Sequence, residues 1–594
     1  MSNGASSWEE IKTRRARAAT RAAWAWTFTV AWCFGLALTA VLRLSLTSTS
    51  ELPSPPDAPA HDPESSIAAG IRYLAQEANN GDARILWSFY ERRNFAPFWT
   101  SPEGLTLDGL ALVKRIEKRE MSGPRLSATL VPSASAELGH PIDFGFADDA
   151  SAGIDRVSRL EWALSRSFLG IARGLLQGRV SPTTAQRGWH HEPERNRGSF
   201  EADAGSTLAD AVDRGVGVVL AELDRAHEDE TALFLALQKY RAIQRAGGWQ
   251  PIPIEEWKDP SDVVARSRVV RSLRARLHAS GDLETPGVSD IFDDELDWAL
   301  RRFQSRHGLE DDGKLGAKTL AALNVSVDER IEQILVNLER RRWLPRRFDG
   351  DYIWVNVPEF RLRAYRDGGL AREMNVVVGK PSTKTPLFSE KLAYVVFNPY
   401  WYVPPSIAQN ELLPRHRNDS TYLSSRGFEV VDRNHEIVST AELSASGIRS
   451  GTVRIRRRPG ASNDLGTIKF IMPNRHNVYL HDTSSRHLFS RSVRAFSHGC
   501  IRVEHPDGLA TYVLDGQVSE PDVYRMFGSG SKKDRKVVLE RSISVYVVYF
   551  TAFMRDGVVH FRNDIYGHDA SLGRALSEEP DRVATPNRLV ASAS

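Results

Sequence analysis

The decapeptide FSHGCIRVEH, residues 496–505, sets Cys500 between a His-Gly pair and an arginine, and Cys500 is one of only 2 cysteines in a chain of 594 residues. A thiol acts as a nucleophile when a base takes its proton and nearby positive charge favours the thiolate. Three histidines are close in sequence. His481 ends the strand-like NVYLH and leaves room for a strand end, a loop and a return to the cysteine. His498 stands two positions before Cys500; on an extended chain it shares its face, whereas at a turn its ring can brace the backbone. His505 precedes Pro506 and reads as a surface residue. Gly499 permits backbone conformations barred to other residues, which would let successive N–H groups turn toward an oxyanion forming beside Cys500. Arg494 and Arg502 add positive potential and carry forks that could grip a substrate carboxylate. These are the parts of a cysteine acyltransferase. On residue types alone an inert buried cysteine stays open, as does a zinc site from His481, His498 and Cys500, although no Cys-x-x-Cys or His-x-x-x-His partner accompanies it.

Which of these holds depends on where the thiol resides. IKTRRARAATR carries Lys12, Arg14, Arg15, Arg17 and Arg21 directly before the uncharged stretch 22–42, AAWAWTFTVAWCFGLALTAVL. That stretch is long enough to cross a hydrocarbon core of about 30 Å as a helix. By the positive-inside rule the N-terminus stays cytoplasmic and the rest is exported. A cleaved signal peptide is the alternative, but the apolar run exceeds the usual h-region of about 7 to 15 residues. Cys33 lies inside this expected anchor, so Cys500 is the only thiol of the exported part and has no internal disulfide partner. The net charge of +3, from 78 basic and 75 acidic residues, and the lack of a basic block interleaved with aromatics argue against nucleic acid as a partner.

The elements that must position these residues follow from composition and period. Residues 47–66, TSTSELPSPPDAPAHDPESS, read as an extended linker. Over 67–257 apolar residues recur at helical spacing, as in VSRLEWALSRSFLGIARGLL, and the aromatic-rich FYERRNFAPFW and YRAIQRAGGW read as packing within a helical domain. Residues 262–324 place Leu296, Ala299, Leu300 and Phe303 on one helix face, then a Gly- and Asp-rich turn, then a second helix. After a helical connector, 325–350, the pattern alternates and a β-rich domain is expected over 351–550. Its strand pattern lapses over 404–460, which ends in the basic VRIRRRPG. An insertion of that length between strands reads as a lid. Residues 551–594 are left as a C-terminal extension.

FQ, HGL, DG, G, T and AL within 262–324 resemble a type 1 peptidoglycan-binding module, against which stands a small helical spacer that binds nothing. HDTSSRHLFSRSVRAFSHGCIRV, from His481 to Val503, resembles the signature of L,D-transpeptidases with a YkuD-type catalytic domain, and FIMPNRHNVYLHDT, VVVGKPSTKTP and FNPYWYVPPSI are similar to the large membrane-anchored subgroup. The fold so implied is multidomain α+β: a transmembrane helix, a helical scaffold domain, the small binding module, and a β-rich catalytic domain with a capping insertion. Arg502 stands where many members have Asn. The resemblance implies Cys500 as nucleophile and His481 as base, its ring oriented by the Asp482 carbonyl. His498 with the amides of Gly499 and Cys500 would build the oxyanion hole, and Tyr479, Arg494, Ser497 and Arg502 would contact substrate. It implies peptidoglycan stem peptides as donor and acceptor, a 3→3 cross-link with release of D-Ala, and no metal or organic cofactor. The implied location is the inner membrane, single-pass, with the catalytic domain in the periplasm. An L,D-carboxypeptidase using water, or a non-catalytic wall-binding scaffold, are the alternatives.

Overall fold

The computed structural model describes residues 63–578, except 78–80, 102–103, 121–149, 187, 192–199, 225–227, 254–262, 288, 349, 461 and 529–532. The expected anchor at 22–42 and most of the linker lie outside the described residues. Among those described, no helix is long and apolar enough to cross a membrane.

The first part is helical: α1 (Pro63–Glu77), α2 (Gly81–Glu91), α3 (Leu107–Glu120), α4 (Ala150–Gln177), α5 (Phe200–Arg214), α6 (Val216–Asp224) and α7 (Glu228–Arg245). The aromatics of FYERRNFAPFW form its core, with Tyr90, Phe95, Phe98 and Trp99 buried beside Phe168 and Leu208. Glu161 is buried among them and accepts from Tyr90 Oη at 2.9 Å and Thr100 Oγ1 at 2.7 Å, so the cost of hiding a carboxylate is offset by donors. Between α4 and α5 the chain leaves this core as β1 (Trp189–His190).

A three-helix module follows, α8 (Val263–Ser280), α9 (Asp294–Arg306) and α10 (Ala317–Leu323), around Leu273, Leu277, Leu296, Leu300, Phe303 and Leu320. Its Gln and Asp-Gly signature has a physical reason. Buried Gln304 donates to Asp312 Oδ1 and the Lys314 carbonyl, both at 3.0 Å, and accepts from the Gly313 amide at 2.9 Å; the side chain therefore holds the turn at which Gly313 has φ +71°. The connector is α11 (Val327–Arg342), opened by a capping box between Ser326 and Glu329.

The β domain is built from β2 (Tyr352–Asn356), β3 (Arg361–Arg366), β4 (Gly369–Gly379), β5 (Leu387–Phe397), β6 (Trp401–Tyr402) just before the insertion, and, inside it, β7 (Phe428–Val431) and β8 (Arg454–Arg457). It continues with β9 (Ile468–Ile471), β10 (Leu480–His481), β11 (Ala495–Ser497), β12 (Ile501–Val503), α12 (Pro506–Leu514), α13 (Glu520–Gly528) and β13 (Arg535–Val548). The main sheet runs β9-β10-β12-β4-β3-β2-β13-β5, and β9 pairs again with β5, so the sheet closes on itself around Val355, Leu362, Val376, Val395, Phe470, Leu480, Ile501 and Val547. Closure removes open edges.

Two parts of the chain join this domain from outside the expected boundaries. β1 pairs in parallel with β5, Trp189 opposite Leu387 and His190 opposite Phe388, so the helical region lends the catalytic sheet a strand. The C-terminal stretch, read as an extension, is packed in. β14 (Ala552–Arg555) and β15 (Val558–Phe561) form a hairpin whose Ala552, Val559 and Phe561 share a core with Leu237, Tyr240, Ile331 and Ile334 of α7 and α11. The final helix, α14 (His568–Glu578), buries Leu572 and Leu576 in the β-domain core. A pattern of apolar residues shows that a segment is amphipathic, not which core it covers.

The insertion 404–460 forms a small sheet with the strand that leads into it, β6-β8-β7, and has its own core of Leu412, Leu413, Leu423, Phe428, Val430, Ile448 and Ile455. Three of the arginines at its basic end are spent on internal pairs: Arg456 with Glu429 at 2.8 Å, Arg457 with Asp464 at 2.6 Å and Arg458 with Glu429 at 3.5 Å.

Candidate active site

β10 and β12 lie side by side and parallel, Leu480 opposite Ile501 and His481 opposite Arg502. Leu480 and Ile501 are fully buried inside the closed sheet. Strand alternation therefore sends His481 and Arg502 to the outer face, with Tyr479 and Cys500 two positions before them, just ahead of each strand. This register is what brings together residues well separated in sequence.

Cys500 ends a tight turn. Gly499 has φ +119°, which a residue with a side chain would resist. Ser497 Oγ accepts from the Gly499 amide at 3.0 Å and donates to the Cys500 carbonyl at 2.6 Å, clamping the turn from within. The loop after β4 clamps it from outside: the Ser497 carbonyl accepts from the Lys380 amide and Thr383 Oγ1, both at 3.0 Å, and Thr385 Oγ1 donates to the Gly499 carbonyl at 2.8 Å. Tyr566, from the segment between β15 and α14, donates its hydroxyl to the Gly379 carbonyl at 2.6 Å and accepts from the Thr385 amide at 3.1 Å. A Cβ on Gly379 would come within 2.2 Å of the Thr383 carbonyl oxygen, which is why the loop begins with glycine.

His481 is buried, and its Nδ1 faces the Asp482 carbonyl. Donation from Nδ1 leaves the Nε2 lone pair available. Burial first, then the positive charge of Arg502, push the imidazole down to about 3, so it is neutral at physiological pH. The Asp482 carboxylate is locked separately, accepting from the Thr467 amide and hydroxyl at 2.9 Å each and from Arg486 at 3.0 Å. Burial raises the Cys500 thiol above its ordinary value, partly opposed by donation from Tyr479 and by Arg502. Thiol and imidazole are thus both uncharged at rest. Tyr479 is raised as well, by burial and by its contact with Cys500. The Cys500 Sγ lies 3.8 Å from the Asn477 carbonyl, in a turn shaped by Asn474, whose Oδ1 accepts from the His476 and Val478 amides at 3.0 and 3.2 Å.

The other expected site residues divide. His498 is half-exposed and its Nε2 lies 2.8 Å from Glu411 Oε1 of the insertion, so its ring meets the cap. Arg502 shares the face of His481, and its Nε is buried without a hydrogen-bond partner. Arg494 is engaged with the main chain instead: its guanidinium donates to the Arg491 and Phe360 carbonyls and lies 5.4 Å from the Phe360 ring centroid, leaving no fork for a carboxylate. The Gly499 amide, expected at an oxyanion, is already bonded to Ser497 Oγ. Sequence reasoning passed over Glu411, Asn477, Tyr566 and the His190–His476 stack, whose rings are 4.3 Å apart. None of these carries a local signal, since each matters through a partner distant in sequence. Among the described residues no three His, Cys, Asp or Glu side chains are placed to share a metal ion.

Residues 350–524 match the family model described as the L,D-transpeptidase catalytic domain (YkuD), 85–237 that of a scaffold domain, and 266–323 that described as "Putative peptidoglycan binding domain". A curated protein of Haemophilus influenzae named "Putative L,D-transpeptidase" is 34% identical over 245 residues, which is 41% of this chain and 49% of that protein. The chain spans about half the length of that relative. Among solved structures, an L,D-transpeptidase (Yku) from Stackebrandtia nassauensis is 14% identical with a TM-score of 0.19, covering 49% of this chain and 93% of its own. An L,D-transpeptidase from Mycobacterium smegmatis is 14% identical with a TM-score of 0.16, covering 33% and 59%. Both scores lie far below that of a shared fold, so nothing below rests on these two structures.

Proposed function

We propose, from the premise that residues 350–524 are an L,D-transpeptidase catalytic domain on a chain that also bears a scaffold domain and a peptidoglycan-binding domain, that this protein forms 3→3 cross-links between peptidoglycan stems. The observation that carries the reading is the parallel register of β10 and β12, which sets Cys500 and a neutral His481 with a free Nε2 on one face. Cys500 attacks the carbonyl of the bond between the L-centre of the third-position diamino acid and D-Ala. His481 takes the thiol proton as the S–C bond forms, so thiolate character arises only during attack. The Cys500 amide, at the tip of the Ser497-clamped turn, faces the developing oxyanion, and His498 braces it. The C–N bond then breaks, the proton passes from His481 to the departing D-Ala amine, and a thioester remains. The side-chain amine of an acceptor stem, deprotonated by His481, attacks the thioester and regenerates the thiol.

The insertion 404–460 serves as the cap over the groove, and the module at 266–323 holds the enzyme on the wall. The uncharged stretch 22–42 anchors the chain in the inner membrane with the site in the periplasm. Mass spectrometry of purified muropeptides incubated with the protein tests the reaction. Dimers linked 3→3 are expected, and Cys500→Ala should give none. Tripeptides alone would mean that water is the acceptor and that the chain is an L,D-carboxypeptidase; unchanged muropeptides would leave a wall-binding scaffold.

A further inference from the structure

The outer face that carries Cys500 continues one strand beyond His481. β9 is antiparallel to β10 with Lys469 opposite His481, and His481 is opposite Arg502, so Lys469, His481 and Arg502 form one row across three neighbouring strands. The interior counterparts, Phe470, Leu480 and Ile501, are all fully buried, which fixes the row on the outside. Lys469 Nζ lies 6.0 Å from the centroid of the Tyr479 ring, and Tyr479 in turn contacts the Cys500 thiol. The row is cationic, and the acids nearest to it, Asp534 for Lys469 and Asp464 for Arg502, act on it only at a distance. Among the described residues no carboxylate is within ion-pair distance of Lys469 or Arg502. Two of the nearby acids are committed elsewhere, Asp464 to Arg457 and Asp482 to Thr467 and Arg486, while Asp534 stays beyond ion-pair distance of Lys469. A half-buried ammonium with no carboxylate in contact and a buried guanidinium nitrogen without a hydrogen-bond partner, flanking His481, favour an anion supplied by the ligand.

We infer that Lys469, together with Arg502, anchors a free carboxylate of the donor stem on the row beside His481, so placing the scissile carbonyl over Cys500. This rests on the transpeptidase reading above. A stem offers two such groups, the terminal carboxylate of the departing D-Ala and the carboxylate at the D-centre of the diamino acid. Either presents the same two oxygens to an ammonium and a guanidinium.

The test compares wild type, Lys469→Met and Lys469→Arg on three tetrapeptide stems: both carboxylates free, the terminal one amidated, and the D-centre one amidated. A charge-assisted contact predicts that wild type loses roughly tenfold to a hundredfold in kcat/KM on one amidated stem. Lys469→Met should show that loss already on the free stem and lose little more on the same amidated stem, and Lys469→Arg should recover part of it. The stem at which the two effects merge identifies the carboxylate. If Lys469→Met lowers all three stems by one common factor, or if wild type is indifferent to both amidations, the anchor is overturned while the transpeptidase reading stands. A wild type inert on every stem would instead sink that reading, and the anchor with it.

Discussion

The chemistry at the residue scale turns on two groups that are both neutral before substrate arrives. Burial raises the Cys500 thiol and lowers His481 to about 3, so no thiolate–imidazolium pair is stored in the resting site. Acylation should therefore be insensitive to pH between about 5 and 8, with no inflection near the ordinary histidine value of about 6.5. A stopped-flow pH profile of acylation by a carbapenem checks this. A sigmoidal rise centred near 6.5 would mean that the base is not the buried His481. His481→Ala should abolish acylation, whereas His498→Ala should impair it less, through the geometry of the turn; full rates in His481→Ala would move the base role to His498.

The active turn is held by the loop after β4 and by Tyr566, and the cap meets it through an exposed pair, Glu411 with His498. A half-exposed pair of this kind contributes about 0.2–1 kcal/mol, so it tunes cap docking without fastening it. Glu411→Ala should leave carbapenem acylation of Cys500 within about fivefold of wild type and shift products from cross-linked dimer toward hydrolysis. Product ratios by mass spectrometry and acylation rates by intact-protein mass give the two readouts. Loss of both in a folded variant would make the cap part of the catalytic framework.

Across the whole molecule, the helical region is tied to the active site by β1. The His190 ring lies 4.3 Å from that of His476 and its Nδ1 accepts from the Arg475 guanidinium at 2.8 Å, and His476 adjoins Asn477, whose carbonyl faces the Cys500 thiol. His190→Ala should raise hydrogen exchange in the 474–478 turn several-fold while β2 and β3 stay protected; unchanged exchange there would show that the strand only adds area to the sheet. A second consequence concerns acid. His481, buried, and His191, part-buried with its Nδ1 shut off from solvent, are both held down to about 3 by loss of water, against about 6.5 in the unfolded chain. Because their folded values are depressed, the unfolded state alone takes up protons as pH falls below about 6.5, and stability drops. At pH 5 the penalty is about 2 kcal/mol for the buried His481 ring and less for the part-buried His191. Melting temperatures at pH 7.5 and 5.0 should differ accordingly, and replacing His191 with a neutral isostere such as Gln should reduce the difference.

What the sequence by itself determined was local. A cysteine dressed by Ser497, His498 and Gly499, a histidine at a strand end, a Gln304 and Gly313 turn signature, and changes of apolar period each depend on neighbours within a few positions, so spacing alone exposes them. The tertiary structure decided whatever depends on register and on which core a segment covers. Arg494 and Arg502 look alike in sequence, yet one lies against the main chain of Phe360 and the other on the row with His481, because strand pairing assigns their faces. Lys469, Glu411 and Tyr566 enter the site from strands, cap and C-terminal segment only through long-range pairing, and the 551–578 segment becomes core because α7 and α11 supply the opposing apolar face. A side chain's type fixes the chemistry it is capable of; the partner that folding sets opposite it fixes which chemistry it performs.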